Sequence, residues 1–220
     1  MTRAPFFTFD DAPLGLAAEM DMLGAVAGGA SPSAFLWQAR APWLVLPERF
    51  GRGEAFETAA AQSAREGWPV TTRKTGGGIT PQGPGVLNVA LAFQTAPGRS
   101  RTVRDSYAAI CDAIAAAMGM LGIATRTAPI TGSFCDGDYN LAVGNRKIVG
   151  TAQRWRGNTC LCHALILTDI ALGPAVEAVQ RLSLGLGHAN RFETEVHCRL
   201  ADLTEHSDDS VSYTHLTLPT

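Results

Sequence analysis

Three consecutive glycines, Gly76-Gly77-Gly78, separate two stretches that read as β-strands, Trp68 to Arg73 and Val86 to Phe93. Such a triplet leaves the backbone free to adopt positive φ and to approach a ligand closely. Around it, helical and strand-like segments are mixed rather than strictly alternating. Leu16, Met20, Leu23 and Ala27 recur at helical spacing over residues 10–28, and Gly28-Gly29 stops the run. Leu44-Val45-Leu46 predicts a short strand, and Glu54 to Glu66 an Ala-rich helix. Thr102-x-x-Asp105 resembles a capping box, and Tyr107, Ile110, Ile114, Met118 and Leu121 mark one apolar face after it. Strand-like runs follow at 140–143, 147–149 and 165–167, the first two joined by a tight Gly144-Asn145 turn, and residues 174–186 read as a helix. This order predicts one α+β domain rather than a doubly wound sheet.

Composition narrows the function classes. The 220 residues are 46% hydrophobic, so disorder throughout is excluded. A balance of 18 Lys+Arg against 20 Asp+Glu gives a net charge of −2, which argues against a protein that grips nucleic-acid phosphate. No apolar run approaches a membrane span. Asp10 and Asp11 fall where a signal peptide needs its apolar core, so a cytoplasmic location is expected. The cysteines, Cys111, Cys135, Cys160, Cys162 and Cys198, are odd in number and form no CxxC pair. Zinc motifs pair two ligand clusters at defined spacing, and Cys160-x-Cys162-His163 has only His188 and the pair His197-Cys198 as later candidates, so reduced thiols and no bound metal are expected. His163 reads as a satisfied buried or pocket-edge histidine. Residues 207–220 have neither a helical period nor a clear place in a core, and read as a frayed or foreign tail after a domain over 1–206.

Two stretches carry chemistry. In Arg73-Lys74-Thr75-Gly76-Gly77-Gly78, the glycine N–H groups can form an anion-binding concavity, and Arg73 can hold a carboxylate or phosphate by two parallel bonds. The glycines alone fit a simple hairpin turn better. The spacing is neither a Walker loop nor a dinucleotide fingerprint. In the second stretch, Lys147 falls on a predicted strand, where a lysine faces either solvent or a site, and Gly150 suits close approach of a ligand.

Together these stretches resemble the catalytic domain of the lipoate–protein ligase and octanoyltransferase family. The matching residues are Thr72 to Gly78, Gly85-Val86-Leu87-Asn88, and Asn145-Arg146-Lys147-Ile148-Val149-Gly150-Thr151-Ala152-Gln153. Ala18-Glu19-Met20-Asp21-Met22-Leu23 resembles the family's opening helix, and the similarity covers residues 10 to 206. Thr72, Asn140 and His163-Ala164 depart from the pattern.

The resemblance implies a class II biotin/lipoate ligase-like domain, a mixed, largely antiparallel sheet flanked by helices. It implies transfer of lipoate or octanoate to a lysine of a lipoyl domain in an oxoacid dehydrogenase or of the glycine-cleavage H protein. A ligase route would require ATP and Mg; a transferase route would use a cysteine thioester, with acyl-carrier protein as one donor. Lys147 matches the essential lysine, placed to stabilise oxyanion charge. Arg73, Gly76, Gly77, Gly78, Asn88, Gly150, Thr151 and Gln153 would line the substrate pocket. Cys135, in Gly132-Ser133-Phe134-Cys135-Asp136-Gly137, matches the nucleophile of one transferase branch, and a lysine ammonium beside it would lower its pKa. An ordinary loop cysteine is the plain alternative. A non-catalytic acyl-binding member stays open, and biotin–protein ligase chemistry ranks lower because Gly51-Arg52-Gly53-Glu54 lacks a following Lys. Arg146, Arg154 and Arg156 would meet an acidic acceptor or simply be solvated, and Trp155 would border that surface.

Overall fold

The computed structural model describes residues 4–95 and 102–204; the expected tail at 207–220 lies outside them. In chain order the elements are β1 (Phe6–Phe9), α1 (Ala12–Ala27), β2 (Ser33–Ala39), β3 (Trp43–Pro47), α2 (Glu54–Arg65), β4 (Val70–Arg73), β5 (Thr80–Gln82), β6 (Val86–Gln94), α3 (Val103–Met120), β7 (Arg126–Thr127), β8 (Leu141–Val143), β9 (Arg146–Arg156), β10 (Thr159–Leu167) and α4 (Leu172–Gly185). Seven strands form one sheet in the order β1-β2-β6-β10-β9-β8-β7, antiparallel except for the parallel β1–β2 pair. A smaller sheet, β4-β3-β5, pairs β3 with β4 in parallel and with β5 antiparallel. The mixed, largely antiparallel α+β architecture is the one expected from the sequence.

Strand β6 sits centrally and is apolar on both faces, as its run of Val, Leu, Ala and Phe requires. Leu87, Val89 and Phe93 pack with Ile110, Ile114 and Met118 of α3. Ala90 and Ala92 pack with Leu23, Val26 and Trp37 under α1. Burying Ile110 and Ile114 completely stabilises the α3 contact by about 1.5–3 kcal/mol each. A third cluster joins the small sheet to α4 through Leu44, Leu46, Val176, Val179 and Leu182. The Thr102–Asp105 capping box forms as the spacing predicts.

Two strands are longer than the sequence suggests. β9 runs to Arg156 and β10 starts at Thr159. Residues 151–156 are mostly polar, and 159–163 are Thr, Cys and His around the single Leu161, so neither half shows an apolar alternation. Backbone pairing across the full β9–β10 ladder, Thr159↔Arg156 to Ile166↔Val149, holds them extended instead. Strands β1 and β2 were not read from the sequence. β1 is an exposed edge, whereas Phe35-Leu36-Trp37 in β2 did carry an aromatic strand signal. Among the described residues, no helix is long and apolar enough to cross a membrane.

Candidate active site

The hairpin at Gly144-Asn145 sends β9 into the molecule, and its second residue, Lys147, is fully buried. An ammonium there must be paired or hydrogen-bonded. Its Nζ donates to the main-chain oxygens of Phe134, at 2.6 Å, and Cys135, at 2.9 Å. It also lies 5.1 Å from the centre of the Phe134 ring, on which His197 stacks at 4.4 Å. Burial pulls the Lys147 pKa down to about 8, while Cys135 and Asp136 oppose that shift. Burial, followed by the nearby Lys147 charge, holds His197 at about 4, so it is neutral. Neutral His197 accepts the Phe134 N–H through Nε2 at 3.3 Å and donates from Nδ1 to the Glu193 carbonyl at 2.9 Å.

Lys147 therefore holds the loop that carries Cys135. Cys135 adopts φ 50, the only positive φ among the described non-glycine residues. That conformation is costly for an L-residue and persists where its surroundings impose it. Gly78 N–H donates to its Sγ at 3.0 Å. Burial pushes the thiol up, but Lys147, Arg73 and the Gly78 N–H outweigh it and hold the pKa below the ordinary thiol value. The other four cysteines are buried and free. Burial raises Cys111, Cys160 and Cys198 to about 11 and Cys162 well above its usual value. Cys135 alone among the five is shifted toward the thiolate, the nucleophilic form.

The glycine loop approaches the protein's own thiol. A Cβ on Gly77, at φ +99, would lie 2.7 Å from Cys135 Sγ and 3.0 Å from Arg73 Nη2. One on Gly78 would lie 3.2 Å from Cys135 Cα. Gly76 meets nothing within 4 Å and contributes its carbonyl to Arg73. Arg73 is almost wholly buried and is committed to the chain itself. Its guanidinium donates to the carbonyls of Val45, Gly76 and Gly78 at 3.0, 2.9 and 2.7 Å. It therefore braces the loop and lends charge to Cys135, rather than extending as a free arm toward a carboxylate.

The remaining expected residues divide. Gly150, Thr151 and Asn88 line a narrow cavity with Cys135, Leu16 and Leu165, of about 30 Å³. A Cβ on Gly150 would lie 3.3 Å from Lys147 Cε and Nζ, so the glycine leaves room for the lysine tip. Thr151 Oγ1 donates to the Tyr139 carbonyl at 2.7 Å, and Asn88 exchanges two 2.8 Å bonds with Gln82. Gln153 does not line this cavity; its amide donates to the Val103 carbonyl at 2.8 Å. On its other side Cys135 borders an open pocket of about 540 Å³ that includes Arg49, Asp136, His188 and Arg191. Trp155 turns its indole N–H to Gln153, and Arg154 donates to the Lys74 carbonyl.

Several residues at the site went unread in the sequence. Phe134 carries the carbonyl that holds Lys147. Asp136 fixes the loop by accepting the Ile130 N–H at 2.7 Å. His163 lines the narrow cavity, as a pocket-edge histidine should, but its partners, Glu19 and Thr75, are far away in sequence. Among the described residues, no group of three His, Cys, Asp or Glu side chains could hold a metal ion.

Residues 12–216 match the family model described as the lipoyl protein ligase A/B catalytic domain. The chain belongs to this family. Over 158 residues it is 44% identical to an uncharacterized protein of Cupriavidus necator, H16_B0148, covering 63% of this chain and 60% of that one. Over 133 residues it is 35% identical to an octanoyl-[GcvH]:protein N-octanoyltransferase of Kyrpidia tusciae, covering 60% of this chain and 45% of that one. The chain thus spans between two fifths and two thirds of the length of these relatives. Among solved structures, lipoate-protein ligase A bound with ATP superposes with a TM-score of 0.71 at 16% identity, covering 96% of this chain and 80% of that one. At that identity the likeness establishes the family's fold.

Proposed function

We propose that this chain is an acyltransferase of protein lipoylation. It takes an octanoyl or lipoyl group onto Cys135 as a thioester and delivers it to a lysine of an acceptor lipoyl domain or glycine-cleavage H protein. The observation that carries this reading is the convergence of the Gly78 N–H, Lys147 and Arg73 on Cys135. A loop cysteine without chemistry would need neither a strained backbone nor two buried cations. The octanoyltransferase name of the Kyrpidia tusciae relative supports the same reading.

The chemistry follows from the geometry. The Cys135 thiolate attacks the acyl carbonyl carbon of a thioester donor or of the octanoyl-lysine amide of an H protein. The S–C bond to Cys135 forms, the donor C–S or C–N bond breaks, and the donor thiolate or amine leaves with a proton from solvent. Lys147 uses two N–H donors on the loop carbonyls, and its charge lowers the Cys135 thiol pKa and favours the anion at the site. The narrow cavity beside Cys135 would take the acyl chain. At about 30 Å³ it holds one or two waters, so Leu16 and Leu165 must swing aside for a chain of eight carbons. The open pocket on the other side gives the donor or acceptor arm access to Sγ.

Intact-protein mass spectrometry tests this. The protein is mixed with octanoyl acyl-carrier protein, with octanoylated H protein, or with octanoate, ATP and Mg. An octanoyl adduct from either protein donor, absent in Cys135→Ser and released by hydroxylamine, is the expected result. Acyl-adenylate from the third mixture with no adduct in the first two would make the chain a ligase instead.

A further inference from the structure

A second polar assembly reaches the Cys135 cavity through His163, while its Glu19 and Thr75 line the adjoining opening. Gly15 and Glu19 lie four residues apart on one face of α1. A Cβ on Gly15 would fall 2.4 Å from the Trp37 ring, so the helix closes tightly on that indole. One turn later Glu19, 2% exposed, accepts the Trp37 Nε1–H at 2.9 Å through Oε1. Its other oxygen, Oε2, lies 2.6 Å from His163 Nδ1. A buried carboxylate accepts only, so Nδ1 carries the proton and Nε2 presents its lone pair. Thr75 Oγ1, immediately before the glycine triplet, donates to Nε2 at 3.0 Å. Within β10 all residues are buried except His163, which lines both the Cys135 cavity and an adjoining opening of about 190 Å³. Carboxylate, oriented imidazole and hydroxyl in series form a directed proton path.

The reaction proposed above needs such a path, and the other groups near Cys135 do not supply it. Lys147 anchors the loop with two N–H donors and must keep its charge to stabilise the thiolate. His197 has both ring nitrogens engaged and lines neither of the two cavities beside Cys135. His188 reaches the open pocket, but its contact is the edge of the Phe50 ring, with no carboxylate bonded to it among the described residues.

We infer that Glu19, His163 and Thr75 form a proton relay for the second half-reaction, in which the acceptor amine attacks the Cys135 thioester; this rests on the acyl-enzyme reading. The neutral amine forms the N–C bond. Its surplus proton passes to Thr75 Oγ1 while the hydroxyl proton moves to His163 Nε2. The C–S bond breaks, Cys135 leaves as a thiolate, and the imidazolium, steadied by Glu19, releases the proton to solvent. Acylation of Cys135 by a thioester donor needs no such base, because its thiol is already shifted toward the thiolate and a thiolate leaves; with an amide donor the same relay would run in reverse.

The test separates the half-reactions in the full chain. Single-turnover acylation by octanoyl acyl-carrier protein, a thioester donor, is followed by mass, and transfer to a lipoyl domain is then timed. His163→Gln and Thr75→Val should acylate within about threefold of wild type, and transfer should slow by about 100-fold, the usual scale of general-base catalysis. Thr75→Ser, which keeps the hydroxyl, should restore transfer to within about threefold. Hydroxylamine, neutral at pH 7 without a base, should release the acyl group at the wild-type rate from every variant. Equal loss in both half-reactions would assign the three residues a packing role only and overturn the inference. So would the split appearing in His188→Gln but not in His163→Gln. Thr75→Ser matching Thr75→Val would exclude the hydroxyl relay, whatever happens to the folding of His163→Gln. If wild type itself forms no adduct, the acyl-enzyme reading fails and the relay fails with it.

Discussion

The ammonium of Lys147 is hydrogen-bonded, at 2.9 Å, to the main-chain oxygen of Cys135, the residue whose thiol pKa its charge lowers. One group thus shapes the loop and favours the thiolate of its cysteine. Burial makes the arrangement expensive: the same desolvation that brings Lys147 to about 8 would force the Cys135 thiol up if the two cations were absent.

Lys147→Met removes the charge and keeps most of the volume. The pH midpoint for alkylation of Cys135 by iodoacetamide should then move upward, since the largest influence lowering that thiol is lost. Far-UV circular dichroism checks that the variant folds. An unmoved midpoint would show that Arg73 and the Gly78 N–H suffice by themselves.

His197 makes stability acid-sensitive. Its pKa is about 4 in the folded protein against 6.5 unfolded, so as pH falls from 6.5 to 4 the unfolded chain takes up a proton that the native one refuses. Unfolding free energy should fall across that window and level off below pH 4, by about 3 kcal/mol from this group. His197→Phe preserves the stacking on Phe134 and cannot titrate. Urea unfolding at a series of pH values should show a shallower slope for that variant between pH 6.5 and 4.

The glycine triplet is unequal. Gly77→Ala would place a methyl 2.7 Å from Cys135 Sγ on a backbone at φ +99, whereas Gly76→Ala meets nothing within 4 Å. Differential scanning calorimetry should show Gly77→Ala destabilised by about 1–3 kcal/mol and Gly76→Ala close to wild type. Equal melting temperatures would mean that the loop is looser than its contacts indicate.

Arg73→Lys should not be conservative. One ammonium cannot span the carbonyls of Val45, Gly76 and Gly78 that the planar guanidinium reaches, and the site is 5% exposed. A loss of about 3–5 kcal/mol is expected from breaking such a buried network. Chemical denaturation measures it directly, and a loss under 1 kcal/mol would make the arginine's contacts incidental.

Much of the site was legible in the linear order of residues. Lys147, Gly150 and Thr151 lie within one strand, and the glycine triplet within one turn, so the motifs that name their chemistry are continuous. The roles were less legible. Arg73 read as an arm for a substrate anion because an exposed arginine beside glycines does that. Its burial was invisible because the carbonyl of Val45 lies 28 residues before it. Gln153, in the same motif as Lys147, shares a strand with Gly150 and Thr151 but does not line their cavity; its amide turns to Val103.

From the sequence alone came the mixed α+β order, the helix faces, the nucleophile candidate and the lysine. Local periodicity and contiguous motifs encode these, and they survive in any arrangement of the chain. The tertiary structure alone decided that the glycine loop cradles the protein's own Cys135, 57 residues away, and that Glu19 stands behind His163 at a separation of 144. Such contacts depend on which strands become neighbours in the sheet. Pairing β10 between β6 and β9 brings His163 beside the cavity wall, and no pattern within either strand records that choice.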